Sequence, residues 1–441
     1  MKRNIFERIG LCILIFFIVN IFSLATLMDS YYIIIPACIA FILINIAPSF
    51  RKGTSKRNRM LTNGVELLIL FVVSTILSTI YTVWLWFNLH SQNVTAFWIN
   101  CLIVVIGEAV LFWNGIIRVY LTSVQLGIKW RIIGIACGMI PIVNLVALYK
   151  IISIVMKEIQ FENQKYNINI GRAEKMECKT KYPLLLVHGV FFRDSRYLNY
   201  WGRIPSELIK NGATVYYGVQ DSAASVKECG KEIAERIKEI VKETGCEKVN
   251  IIAHSKGGLD SRYAISCLDV AAFVASLTTI NTPHRGCIFA DYLLNKLPES
   301  FCQSIARKYN RTLLKLGDKN PDFMTAVKDL TASECSKFNE TAPDIPHVFY
   351  QSVGSKMKRA TSGKFHLNVS YPLVRHFDGE SDGLVAVESM KWGEQFTFVK
   401  ANGCRGISHG DMIDLNRENI PGFDVREFYF NIVKDLKNRG L

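Results

Sequence analysis

A chain of 441 residues is longer than one ordinary domain, so at least two units are expected. Half of the residues are hydrophobic, high for a soluble protein, and the excess lies in residues 1–155, where long apolar runs recur. The net charge of +14 is uneven too: residues 1–181 hold 18 Lys and Arg against 8 Asp and Glu, and the rest holds 34 against 30. A basic surplus confined to the apolar part fits a membrane surface with anionic headgroups. It excludes nucleic acid as a partner. Twelve cysteines, with no CxxC and no Cys/His cluster at zinc spacing, read as scattered thiols and favour a reducing compartment.

Four segments are long and apolar enough to span a bilayer: residues 9–28, 32–48, 65–89 and 97–120. The first has no small-residue cleavage site and more spans come after it, so it reads as an anchor, not a signal peptide. Arg51, Lys52, Lys56, Arg57 and Arg59 mark the loop between spans two and three as cytoplasmic. Lys2, Arg3 and Arg8 put the N-terminus on the same side, and residues 90–96, without Lys or Arg, face outward. Residues 132–156 contain Pro141, Asn144 and Lys150. They form either a fifth span, which places the C-terminal part of the chain outside, or a re-entrant or interfacial helix, which leaves it inside. The six positive charges from Lys157 to Lys181 favour the cytoplasmic side. Glu108 falls within the fourth span, as a functional group or a helix-packing contact. Residues 1–156 are thus expected as an all-α transmembrane bundle, and 157–181 as a polar linker.

Residues 182–441 read differently. Strands are expected at 182–187, 213–217, 249–253, 275–280, 347–353 and 395–399, with helices at 200–210, 225–244 and 425–437. In the second helix Val226, Ile233, Ile237 and Ile240 recur on one face, opposite Lys, Glu and Arg. Alternating strands and helices imply an α/β fold: a mostly parallel sheet with helices on both faces.

The third strand runs into Ile251-Ile252-Ala253-His254-Ser255-Lys256-Gly257-Gly258. This is the pattern of a nucleophile elbow, a sharp strand-to-helix turn that lifts a serine hydroxyl clear of the backbone. Small neighbours are needed because strand and helix come close; Ala253 stands where the usual pattern has Gly. Serine needs a base oriented by an acid, in the chain order Ser, Asp or Glu, His. His409, in Gly406-Ile407-Ser408-His409-Gly410-Asp411 after the last strand, is the candidate base. Asp382, beside Gly383 in a turn expected at a strand end, is the candidate acid. The oxyanion donors are expected to be the backbone N–H groups of Lys256 and Val190. His188 is expected to order the loop after the first strand, and His254 to point to the other face of its strand.

Residues 182 to about 435 resemble the bacterial triacylglycerol lipases of the Pseudomonas type. The resemblance rests on Leu185-Leu186-Val187-His188-Gly189-Val190, Tyr200-Trp201-Gly202-Arg203, the elbow, Asn281-Thr282-Pro283-His284-Arg285-Gly286, Asp382-Gly383-Leu384-Val385 and Ser408-His409-Gly410-Asp411, in that order. It implies an α/β-hydrolase fold, the triad Ser255, Asp382 and His409, and a mobile helical lid, here residues 297–316. Three departures stand out. That family is secreted and this chain carries apolar spans. Its calcium site is matched by Asp411 alone, with no second carboxylate before Asp382, and the chemistry itself requires no cofactor. Lys256 puts a charge near the pocket mouth, where it bears on headgroup preference.

The expectation is a multi-pass membrane protein carrying a serine hydrolase of lipid or other acyl esters. An acyltransferase or thioesterase with the same triad, and a non-catalytic sensor keeping the fold, are the alternatives. Acyl-chain preference and oligomeric state are not legible in the sequence.

Overall fold

The computed structural model describes residues 5–48, 55–90, 93–138, 140, 142–190 and 199–441. The chain divides into two units, Met1–Ile168 and Asn169–Leu441.

The first unit is helical. Helices α1 (Ile5–Val19) and α2 (Ile21–Leu27) meet at a 66° bend, so the first expected span is not a straight rod. The bend sits at Asn20, whose side-chain amide donates to Phe16 O (3.0 Å) and to Ser78 Oγ (2.8 Å). A side chain that competes for backbone carbonyls is a recognised cause of a kink. The second expected span is shorter than expected. After a 3₁₀ turn, α3 (Ile34–Ile46) has 13 residues, a rise of about 20 Å against a hydrocarbon core of roughly 30 Å. Helices α4 (Lys56–Asn88) and α5 (Val94–Thr122) are long and apolar enough to cross a membrane. They extend the expected third and fourth spans because Ser55 and Asn93 cap their first turns, accepting from Asn58 N–H (3.2 Å) and Ala96 N–H (2.9 Å).

The fifth candidate segment is not one helix. It is divided between α6 (Gly127–Cys137) and α7 (Val143–Arg172), with Ile142 in the left-handed region (φ 67°) at the break. Neither is among the helices that qualify as spans. The stretch expected as a linker from residue 157 continues α7 as far as Arg172. Its buried anchor is Glu158, which accepts from Arg57 (2.8 Å), Ser123 Oγ (2.6 Å) and the N–H groups of Val124 and Gln125. Lys2, Arg3, Arg51, Lys52 and Pro141, and part of the expected outward loop, lie outside the described residues.

The second unit has an α/β fold. Its six strands are β1 (Leu184–Val187), β2 (Val215–Tyr217), β3 (Val249–His254), β4 (Val274–Ile280), β5 (Phe349–Gly354) and β6 (Gln395–Phe398). They form one parallel sheet in the order β2-β1-β3-β4-β5-β6, with β3 central. Alternation along the strands feeds two cores. Leu184, Leu186 and Ile252 face Trp201, Leu208, Tyr429 and Phe430. Leu185, Val187 and Ile251 face Ile233, Ile237 and Ile240 of the helix Val226–Thr244. Both faces of the sheet are therefore covered. Its central strands read as unbroken apolar runs, as parallel strands buried on two sides do.

Candidate active site

Strand β3 ends at His254, and the helix Lys256–Cys267 begins one residue later. Ser255 occupies the turn with φ 56° and ψ −132°, a conformation that a non-glycine residue rarely adopts. The turn is over-determined by its surroundings. Ser255 N–H donates to Ile280 O (2.9 Å) and Gly258 N–H to Ser255 O (3.1 Å). A Cβ at position 257 would fall on the carbonyl oxygen of His188, and one at 258 on Thr282 Oγ1. Only glycine fits at either place. Ser255 is the one residue from Val249 to Asp260 that is not buried.

Asp382 is fully buried and receives four donors. Leu384 N–H (2.9 Å) and Val385 N–H (2.8 Å) reach Oδ1, while Asn281 Nδ2 and His409 Nδ1 each reach Oδ2 at 2.6 Å. His409 N–H also donates to Asp382 O (3.0 Å). Asp382 does not sit at a strand end of the sheet. It comes after the helix Leu367–Asp378, in a tight turn closed by a bridge between Ser381 and Ala386. Gly383 takes φ 104° there, which a side chain would strain. The base is thereby fixed to the acid. Among the described residues, no hydrogen bond joins Ser255 Oγ to His409.

Of the two expected oxyanion donors, Lys256 supplies the first N–H of the elbow helix and Val190 lies buried two residues after His188. Helix N-termini favour negative charge, which suits the first position. Gly189 lies against the serine: a Cβ on it would meet Ser255 Cβ at 2.8 Å. His188 ties this loop down, with ring nitrogens 2.9 Å from Gly189 O and 3.1 Å from Gln220 O.

The Lys256 side chain is not at the pocket mouth. It is 1% exposed and pairs with Asp260 at 2.6 Å, one turn along the same helix. At i, i+4 spacing the ammonium lies along the helix instead of out in solvent. Burial pushes the Asp260 carboxyl up, against the pull of Lys256.

Three residues without an assigned role in the sequence reading complete the site. Asn281, just past β4 with φ 48°, directs its amide to Asp382 and to Ser355 Oγ (2.7 Å). His254 leaves β3 on the side of Ile252, as alternation requires, yet its ring lies 4.4 Å from the ring of His409. Tyr200 OH accepts from Gly189 N–H (3.0 Å) and lies 2.6 Å from His254 Nδ1. Burial, then the neighbouring His409, holds His254 well below the usual histidine range, so it stays neutral. An Asn directly after an apolar strand, a residue type that tolerates positive φ, was the available signal for Asn281. Nothing local to residues 200 and 254 signals their pairing.

Asp411 does not fit a calcium site. Its carboxylate accepts from Arg405 (3.0 and 3.1 Å) and from Ser408 N–H (2.8 Å). Among the described residues, no group of three His, Cys, Asp or Glu side chains could hold a metal ion.

Residues 209–346 match the family described as "Putative serine esterase (DUF676)". A triacylglycerol lipase of Pseudarthrobacter phenanthrenivorans is 34% identical over 177 residues, covering 37% of this chain and 54% of that protein. Over this region the chain is similar to triacylglycerol lipases. The lipase of Pseudomonas fragi is 27% identical over 295 residues, 59% of this chain and 98% of that one. The Staphylococcus hyicus lipase structure superposes with a TM-score of 0.47 at 17% identity, covering 59% of this chain and 97% of that one. The chain spans about half the length of the curated relatives it matches at 31–34% identity (54%, 49% and 55%).

Proposed function

We propose that this protein is a membrane-anchored serine hydrolase of lipid carboxylic esters, with Ser255 as nucleophile, His409 as base and Asp382 as the acid that orients it. One observation carries the reading: a buried aspartate bonded at 2.6 Å to the histidine of a glycine-flanked loop, beside a strained, accessible serine at the end of the central strand. Ser255 Oγ attacks the ester carbonyl and its proton passes to His409 Nε2. The N–H groups of Lys256 and Val190 receive the oxyanion. Collapse expels the alcohol, protonated by His409, and leaves an acyl-Ser255. Water, deprotonated by His409, then releases the acid and restores the serine. Asp382 keeps the His409 proton on Nδ1 throughout, and no step needs a cofactor.

The substrate class rests on the similarity to triacylglycerol lipases and on α4 and α5, which would hold the site near a lipid surface. Residues 1–156 act as the anchor and 182–441 as the hydrolase. The helix Glu299–Leu316, within the expected lid, exposes Phe301, Tyr309 and Leu314 and serves as the lid. The basic run at Arg51–Arg59 and the positive charges after residue 156 support a hydrolase on the cytoplasmic side.

The test is labelling with a fluorophosphonate probe in intact and permeabilised cells. Labelling of wild type that disappears in Ser255→Ala, and that needs permeabilisation, is the expected result. A folded wild-type protein that takes no label sinks the hydrolase reading, and labelling of intact cells by an impermeant probe sinks the cytoplasmic one.

A further inference from the structure

The helical unit contains polar groups that ester hydrolysis does not use. Between α4 and α5 lies a groove of about 540 Å³, a volume in the range of small-molecule sites (roughly 300–1,000 Å³). Its wall is largely apolar, with Phe71, Val104 and Phe112, and it opens outward past the exposed side chains of Val83, Val105 and Trp113. Two polar atoms in that wall are unmet. Glu108, midway along α5 and 7% exposed, accepts from Ser74 Oγ (3.0 Å) through Oε2, but its Oε1 has no partner. Thr75 Oγ1, on the facing helix α4, is turned toward Glu108 but makes no hydrogen bond of normal geometry to it. A buried carboxyl oxygen without a donor is a costly arrangement in an apolar surrounding, and at membrane depth such groups mark sites.

The chemistry of the groove narrows its ligand. One unmet group is a carboxyl oxygen that needs a donor, and the other is a hydroxyl that can give a proton or take one. A ligand hydroxyl donates to the first and accepts from the second. Among the described residues, no Lys, Arg or His lines the groove, so a phosphate headgroup finds no counter-charge there. A free carboxylate would face Glu108. The volume and the apolar wall suit one hydrocarbon chain.

We propose that the α4–α5 groove binds a neutral single-chain lipid alcohol, a monoacylglycerol, with its hydroxyl groups on Glu108 Oε1 and Thr75 Oγ1. The site is separate from Ser255 and does not depend on its activity.

The experiment uses the full chain carrying Ser255→Ala, so that the ester survives, in phosphatidylcholine vesicles. The probe is a monoacylglycerol with a diazirine in its chain, photolysed and mapped by mass spectrometry. Labelling of α4 and α5 peptides is expected, competed by plain monoacylglycerol and not by its dimethyl ether. Glu108→Leu should lower it up to about tenfold, the loss of one buried hydrogen bond, and Thr75→Val severalfold. Competition by the dimethyl ether as strong as by the alcohol, labelling unchanged in both variants, or no labelling in α4 and α5 would each overturn the proposal. If Glu108→Leu fails to run as a single species in detergent, Thr75→Val and the ether competition on the parent chain decide. Fluorophosphonate labelling of wild type is read separately, so failure of the groove and failure of the hydrolase reading are distinguishable.

Discussion

The two units bury polar groups in opposite ways. In the helical unit the polar pairs are spread along the helices, each with at least one buried member: Arg8 with Glu66, Arg57 with Glu158, Asn20 with Ser78. In the α/β unit a dense buried cluster lies at the end of the central strand, where Asp382, His409, Asn281, His254 and Tyr200 meet. Surroundings explain the contrast. On the proposed membrane reading, helices in an apolar medium gain little from burying more apolar surface, so hydrogen bonds and ion pairs select which faces meet. In the α/β unit two apolar cores already fix the sheet and its helices, and several polar groups can be concentrated at one strand end.

This comparison can be broken by substitution, with the largest effect expected at the clustered site. Asp382→Asn should lower kcat for an ester substrate on the order of 10⁴-fold while thermal unfolding changes little; an unfolded variant would make the cluster structural. Gly257→Val should come next. It drives a side chain into the backbone at His188, destabilising the α/β unit by about 1–3 kcal/mol or more, read as a lower melting temperature with labelling of Ser255 lost. A fold that tolerates valine there would show that the elbow is looser than its contacts indicate.

Glu158→Ala tests the other side of the contrast. It strips the N–H groups of Val124 and Gln125 of their acceptor. The expected cost is about 1–3 kcal/mol, in the helical unit alone, measured as detergent-dependent unfolding with ester hydrolysis by the folded fraction unchanged. Tyr200→Phe should have a smaller structural effect and a larger functional one. Gly189 N–H and His254 Nδ1 lose a shared partner next to Ser255, and kcat should fall more than KM rises.

The smallest effect concerns pH. Burial, then Arg262 and Arg285, holds His284 well below its ordinary value of 6.5. As pH falls, the unfolded chain takes up the proton first, so this contribution to stability is intact above about 6.5 and is lost below it. Wild type should therefore lose more melting temperature between pH 7.5 and 5.5 than His284→Gln does. Equal losses would mean that His284 protonates without unfolding.

Much of the α/β unit was legible because its signals are local. Each of the six strands lies within a few residues of its apolar run, and the helix Val226–Thr244 matches its amphipathic period. Turn glycines and chain order brought Ser255, Asp382 and His409 forward as candidates, and the structure joins the last two by a hydrogen bond. The helical unit was less legible. Hydropathy reports that a segment is apolar, not how far it runs straight, so the kink at Asn20, the short α3 and the break before α7 all went unseen.

By itself, then, the sequence determined the alternation of strands and helices, the elbow with its two glycines, and the apolar length of α4 and α5, because each depends on neighbours a few residues apart. Only the tertiary structure decided that Lys256 turns inward to Asp260, that Asn281 and His409 share one oxygen of Asp382, and that Glu158 holds α7 helical past its apolar stretch. These depend on which buried donor finds which acceptor across the fold. A hydrogen bond between distant residues leaves no period in the chain that makes it.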